Sequence, residues 1–145
     1  MVSLALATPA TGAPDYGWNG SFERLQYQVN WTVVPAGRAI IQARPAGPGG
    51  AAFRIQACTN EALDLVHKVR DRILARTRLT EKGLRARTYR LNRHEGDDRE
   101  TKELRFTKGG VVHTRDLRSG KTDYFPVEPS TVDVLTALYV TRRHA

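Results

Sequence analysis

The chain has 145 residues, enough for one domain with its own core, and no run approaches the ~20 apolar residues of a membrane-spanning helix. Lysine and arginine number 23 against 15 acids, a net +8 compatible with anionic partners, yet no recognised nucleic-acid motif accompanies them. The single cysteine, Cys58, excludes an internal disulfide and reads as a small hydrophobe beside Ile55 and Ala57.

Residues 1–14 are small and apolar, with Thr8-Pro9-Ala10 and Thr11-Gly12-Ala13 as small-residue stretches. They read as a signal-peptide remnant or a disordered tail that does not pair with any strand. Residues 15–145 read as a single β-rich domain. Its first strand is the clearest element: Leu25, Tyr27, Val29, Trp31 and Val33 alternate with Gln26, Gln28, Asn30 and Thr32. Strict period two marks a strand with one dry and one wet face, so Trp31 is expected to be buried. Pro35-Ala36-Gly37 is expected to turn the chain, and Ala39, Ile41 and Ala43 to form the returning strand.

Pro45 to Gly50 is the next turn, and Phe53, Ile55 and Ala57 mark a third strand. Thr59-Asn60-Glu61 can cap a short helix over 61–69, with Leu63, Val66 and Val69 on one face. From Asp71 the period returns to two, placing Ile73, Ala75, Thr77 and Leu79 opposite Arg72, Leu74, Arg76 and Arg78. After Glu81-Lys82-Gly83, Leu84 and Ala86 oppose Arg85 and Arg87; a bulge near Thr88-Tyr89 lets Leu91 rejoin the apolar side. His94 to Asp98 reads as a polar turn, Leu104 and Phe106 as a strand, Val111 to Leu117 as another, and Thr122 to Val127 as the last. Such regularly spaced short strands indicate an antiparallel meander, a curved and open half-barrel sheet, not βαβ units. A helix comes next, near 131–143, with Ser130 as N-cap, Asp133 three positions on, and Val132, Leu135, Leu138 and Tyr139 as its apolar face.

No constellation for catalysis emerges. The four histidines share no metal-ligand spacing with one another or with Cys58. Gly-x-Ser-x-Gly, a Walker loop and His-Glu-x-x-His are all absent. The chain is therefore expected to be no enzyme and to need no metal or cofactor. Arg72, Arg76, Arg78, Arg85 and Arg87 share parity on successive segments, which places a cationic stripe on the outer face of the sheet. Glu103, sharing parity with Arg99 and Arg105, neutralises part of it. That stripe suits anionic lipid headgroups, lipopolysaccharide phosphates or an acidic partner as well as bare solvent.

Glu23-Arg24-Leu25-x-Tyr27-x-Val29-x-Trp31 followed by Pro35-Ala36-Gly37 resembles the opening of the bacterial domain-of-unknown-function 3108 family. Lys68-Val69-Arg70-Asp71-Arg72 resembles that family's next recurrent segment, and Asp133-x-Leu135-x-Ala137-Leu138-Tyr139 with Arg142 its later helix. The resemblance implies a secreted or periplasmic protein with a strongly curved antiparallel sheet, comparable with lipoprotein-carrier folds. Members continue for several strands beyond the helix, so the chain is expected to be a partial copy with an open, association-prone edge that retains no ligand tightly. The resemblance implies no reaction.

This reading leads to two functions. The first is a non-enzymatic module holding an apolar or lipidic ligand, or an envelope partner, in its concave face. Tyr27, Trp31, Ile41, Phe53, Leu104 and Phe106 would line that face. The alternative is a cell-envelope hydrolase or its accessory factor, with His67 and Asp71 near the opening. No specific nucleic-acid partner and no transmembrane span are expected.

Overall fold

A computed structural model describes residues 21–31, 34–47 and 49–142, the side chain of Trp31 excepted. The expectations for the tail at 1–14 and for the burial of Trp31 lie outside the described residues. The strands are β1 (Glu23–Trp31), β2 (Val34–Pro45), β3 (Ala51–Thr59), β4 (Arg70–Thr80), β5 (Gly83–Glu95), β6 (Asp98–Phe106), β7 (Val111–Asp116) and β8 (Thr122–Pro126). Helix α1 (Glu61–Asp64) lies between β3 and β4, and α2 (Val134–Thr141) comes after β8. All eight strands form one sheet in the order of the sequence, each antiparallel to the next. The sheet is curved and unclosed, which is the mainly β meander that the alternation implied.

Register sorts the side chains. Residues directly opposite in an antiparallel pair point to the same side. One row therefore runs Glu23, Ala43, Phe53, Ala75, Tyr89, Leu104, Thr114 and Asp123 across β1 to β8. Helix α2 packs on this side, which we call the inner face. Phe53 and Tyr139 have ring centroids 4.1 Å apart with planes 8° from parallel. The dry core is the meeting of Ile41, Ala43, Ala51, Phe53, Ala75 and Leu84 with Leu135 and Tyr139. The small alanines let the helix approach the sheet closely, and the large rings fill the space that leaves.

Several local expectations need correction. Helix α2 begins at Val134 with Asp133 as its cap; the Asp133 carboxylate accepts from the Leu135 and Thr136 amides, both at 3.0 Å, and from the Thr136 hydroxyl at 2.6 Å. Ser130 lies instead in a turn where the Thr131 amide donates to the Glu128 carbonyl, and the contacts of Leu135 and Tyr139 with the sheet set the helix start at Asp133. The buried face is consequently Leu135, Thr136 and Tyr139, with Leu138 41% exposed and Val132 ahead of the helix.

Helix α1 is a single turn capped by Asn60, not two turns over 61–69. After it, Thr59 donates its amide to the Val69 carbonyl, which pulls the chain back into pairing. Leu65 is accordingly 90% exposed, and Val66 does not join an apolar helix face.

Pro35-Ala36-Gly37 is not the turn. It lies within β2, opposite a register shift at Val29/Asn30, where an irregular ladder tolerates proline. Gly37 is needed for close approach: a Cβ there would stand 2.2 Å from the Cys58 carbonyl oxygen. The polar turn expected over His94–Asp98 shrinks to Gly96-Asp97, with Gly96 at φ 57° as a two-residue hairpin favours. The bulge of β5 falls at Arg87, since Arg76 pairs with Thr88 but Thr77 pairs with Ala86. That is one residue from its expected place.

Candidate functional site: the inner face

Beside the row covered by α2 runs a second one: Leu25, Ile41, Ile55, Ile73 and Leu91, paired directly from β1 to β5. Ile41 is buried; the other four are half-buried. Four inter-strand steps of ~4.8 Å make this strip roughly 19 Å long. Tyr27, one place further along β1 on the same face, is 48% exposed. The strip exists because five strands each place an aliphatic residue at one register position; Ile41 belongs to the core under α2, and Leu25, Ile55 and Ile73 pack against that core while staying partly exposed.

The next position of the row is Lys102 on β6, followed by Asp116 on β7. The inner face turns from apolar to charged at this point. Lys102 and Arg93 both pair with the Glu100 carboxylate, the latter at 3.0 Å. The Lys102 ammonium, acting first through its hydrogen bond, holds Glu100 below its usual range against the cost of burial. Asp116 is lowered too, chiefly by the Ser119 and Arg118 amides. Tyr89 is pushed up by burial and by the charges of Asp133 and Glu100. Arg93 keeps one buried donor, Nε, that has no hydrogen-bond partner among the described residues.

At the other end, α2 is tied to the start of the sheet. The Tyr139 hydroxyl donates to Glu23 at 3.1 Å, and Arg142 grips the same carboxylate through both terminal nitrogens at 2.6 and 3.1 Å. The Arg142 guanidinium also lies 5.2 Å from the Tyr139 ring centre. Burial, with the Glu23 charge, raises the Tyr139 hydroxyl well above its ordinary value.

Tyr27, Ile41, Phe53, Leu104 and Phe106 do share the inner face, as alternation required. They do not line one cavity. Phe53 is sealed against Tyr139 and Ile41 belongs to the core, while Leu104 and Phe106 sit on β6, five strands from Tyr27. Arg72, Arg76, Arg78 and Arg85 take outer-face register positions, and Arg87 is the exposed bulge residue. Glu103 is paired with Arg105 at 2.7 Å.

Sequence reasoning missed the second apolar row and its charged end. Each residue of it was visible in the alternation, but only register shows that the positions are collinear. It also missed a recess of about 540 Å³ where Gln28, Arg38, Cys58 and Asn60 surround Arg70. There Arg70 is held by Asp64, whose carboxyl the Arg70 and Thr59 hydrogen bonds keep below its ordinary range. Of the pair named for hydrolysis, His67 is exposed and Asp71 accepts from the His94 backbone amide at 3.0 Å. Among the described residues no group of three or more His, Cys, Asp or Glu is placed to hold a metal ion.

The family model described as "Protein of unknown function (DUF3108)" matches residues 26–145. The chain belongs to the DUF3108 family. No curated protein and no solved structure matches it. Two of the DUF3108-like segments read from the sequence thus acquire structural reasons. Gly37 lies against the Cys58 backbone, and Asp133, Tyr139 and Arg142 cap α2 and anchor it to Glu23. No described helix is long and apolar enough to cross a membrane.

Proposed function

We propose that this DUF3108 protein is a non-enzymatic binding module of the cell envelope, periplasmic or secreted, that takes an amphiphile with an acyl chain and an anionic head along its inner face. The observation that carries the reading is the register row itself: aliphatic from Leu25 to Leu91, then cationic at Lys102. Arg93, one place along on the same face of β5, adds a second cation at the charged end. Laying a chain on half-buried aliphatic side chains gains ~0.8 kcal/mol for each CH₂ removed from water. A head carrying negative charge competes with Glu100 for the Lys102 ammonium and the Arg93 guanidinium. Because the strip is flanked by α2 on one side only, exchange is fast, and equilibrium titration is the right measurement in place of co-purification.

The test is fluorescence titration with a conjugated polyene fatty acid and with its uncharged methyl ester. Saturable one-to-one binding is expected for the acid, about tenfold weaker for the ester. Lys102→Gln should erase that preference while leaving ester binding unchanged. Absence of saturable binding, or an acid preference that survives Lys102→Gln, overturns the proposal.

A further inference from the structure

The charges of the strands are sorted by side. Every strand carboxylate except Glu103 occupies an inner-face register position: Glu23, Asp71, Glu95, Asp98, Glu100, Asp116 and Asp123. Every strand arginine takes an outer-face position, apart from Arg93 and the bulge residue Arg87. The one strand lysine, Lys102, is inner. The outer face is thus cationic almost to the exclusion of acids, and its cations are guanidinium groups.

Few of these charges are answered within the chain. Glu103 engages Arg105, and Asp64 of α1 engages Arg70. Arg54, Arg76, Arg90 and Arg115 have no carboxylate partner among the described residues. Two register rows show the layout. One carries Arg54 on β3, Arg90 on β5 and Arg115 on β7, at alternate strands and therefore roughly 10 Å apart, with Glu103 on β6 between the last two and turned to Arg105 of its own strand. The neighbouring row carries Arg44, Arg76 and Arg105 on β2, β4 and β6, filling the gaps of the first. The result is a two-dimensional staggered lattice, not a stripe.

We infer that this outer face docks on an anionic phospholipid surface. Guanidinium forks bind phosphate oxygens in pairs, and a lattice spread in two directions matches headgroups spread in two directions. A nucleic-acid strand asks for something else: a linear basic track interleaved with aromatic platforms on which bases stack. The outer register positions of β1 to β7 carry no Phe, Tyr or Trp; the rings there are the imidazoles of His94 and His113, and Tyr124 on the edge strand β8 lies 6.3 Å from His113, one ring pair at the sheet edge and not a track. The inference is independent of the inner-face strip, since the two sets of side chains point to opposite sides of the sheet.

Vesicle sedimentation tests it, comparing neutral phosphatidylcholine vesicles with vesicles containing phosphatidylglycerol. Binding is expected only with the anionic lipid, falling steeply as salt rises from about 50 to 300 mM. The triple variant Arg54→Glu, Arg90→Glu, Arg115→Glu should lose about a hundredfold or more in vesicle affinity. A control with the same charge change in turns, Lys82→Glu, Lys108→Glu, Lys121→Glu, should lose less than about tenfold. Should the arginine triple fail to fold, Arg90→Gln, which keeps size and polarity, should still weaken binding by about fivefold. Equal binding to neutral vesicles, equal losses in the two triple variants, an unaffected Arg90→Gln, or tighter binding to a single-stranded oligonucleotide than to vesicles would each overturn the inference.

Discussion

The two halves of the sheet are built alike and held differently. Strands β1 to β5 place aliphatic and aromatic residues on the inner face, and α2 closes over them: Ala43, Phe53, Ala75 and Tyr139 are fully buried. Strands β6 to β8 continue the same ladder beyond the strands β3 to β5 on which α2 mainly packs. Their inner positions mix Leu104, Phe106 and the buried Val112 with Glu100, Lys102, Asp116 and Asp123, and all residues of β8 are exposed. Backbone pairing alone therefore extends a sheet, whereas stability is concentrated where a helix removes apolar surface from water.

The sharpest way to break that contrast is to delete one ring from each half. Tyr139→Ala should cost ~3–5 kcal/mol in urea denaturation, since it empties the stack on Phe53 and removes one of the partners of Glu23. Phe125→Ala on β8 should cost less than ~1 kcal/mol. Equal losses would mean that the C-terminal strands share the core after all.

A backbone test comes next. Gly37→Ala drives a Cβ into the Cys58 carbonyl and should destabilise by ~1–3 kcal/mol, whereas at Gly109 an added Cβ meets nothing within 4 Å. Gly109→Ala should be close to neutral by the same denaturation measurement. Third is the helix start. Asp133→Ala should cost ~1–2 kcal/mol and Ser130→Ala less than ~0.5 kcal/mol, a direct reading of which residue caps α2.

The mildest effect is that of pH, and it separates the halves by sign. Glu100 and Asp116 have lowered values in the folded chain, so their contribution is present above the ordinary carboxylate range and is lost as pH falls through the lower folded values. Tyr139 is raised, so its contribution is present below about pH 10 and is lost as pH climbs beyond that. Amide hydrogen exchange should therefore show β6 and β7 loosening first in acid and α2 first in alkali. The reverse order would contradict the assignment of these groups.

How far the sequence carried depended on how strong the local pattern was. Leu25, Tyr27, Ile41, Phe53 and Ile55 were assigned to one face because period two forces it, and register agrees. The pattern failed where both faces are polar: from Arg93 to Lys102, alternation cannot say which side is inner, so the ion cluster there was invisible. It also failed where two residues compete for one role. Ser130 and Asp133 are both good caps, and the winner is decided by tertiary contact of Leu135 and Tyr139 with the sheet. Pro35 and Gly37 carry the composition of a turn, yet the glycine serves a packing contact with Cys58 on β3, a residue remote from it in the chain.

One consequence concerns the order of events during synthesis. Every strand pairs with its neighbour in the chain, so the ladder can grow as residues emerge, through short-range contacts that form fast. The bond from Tyr139 to Glu23 spans 116 positions. Until Val134–Thr141 has been made, the nascent sheet carries an uncovered Phe53 and its alanine-lined trough, an intermediate with apolar surface open to association. The time between completion of the strands and arrival of Val134–Thr141 thus sets how long that intermediate persists.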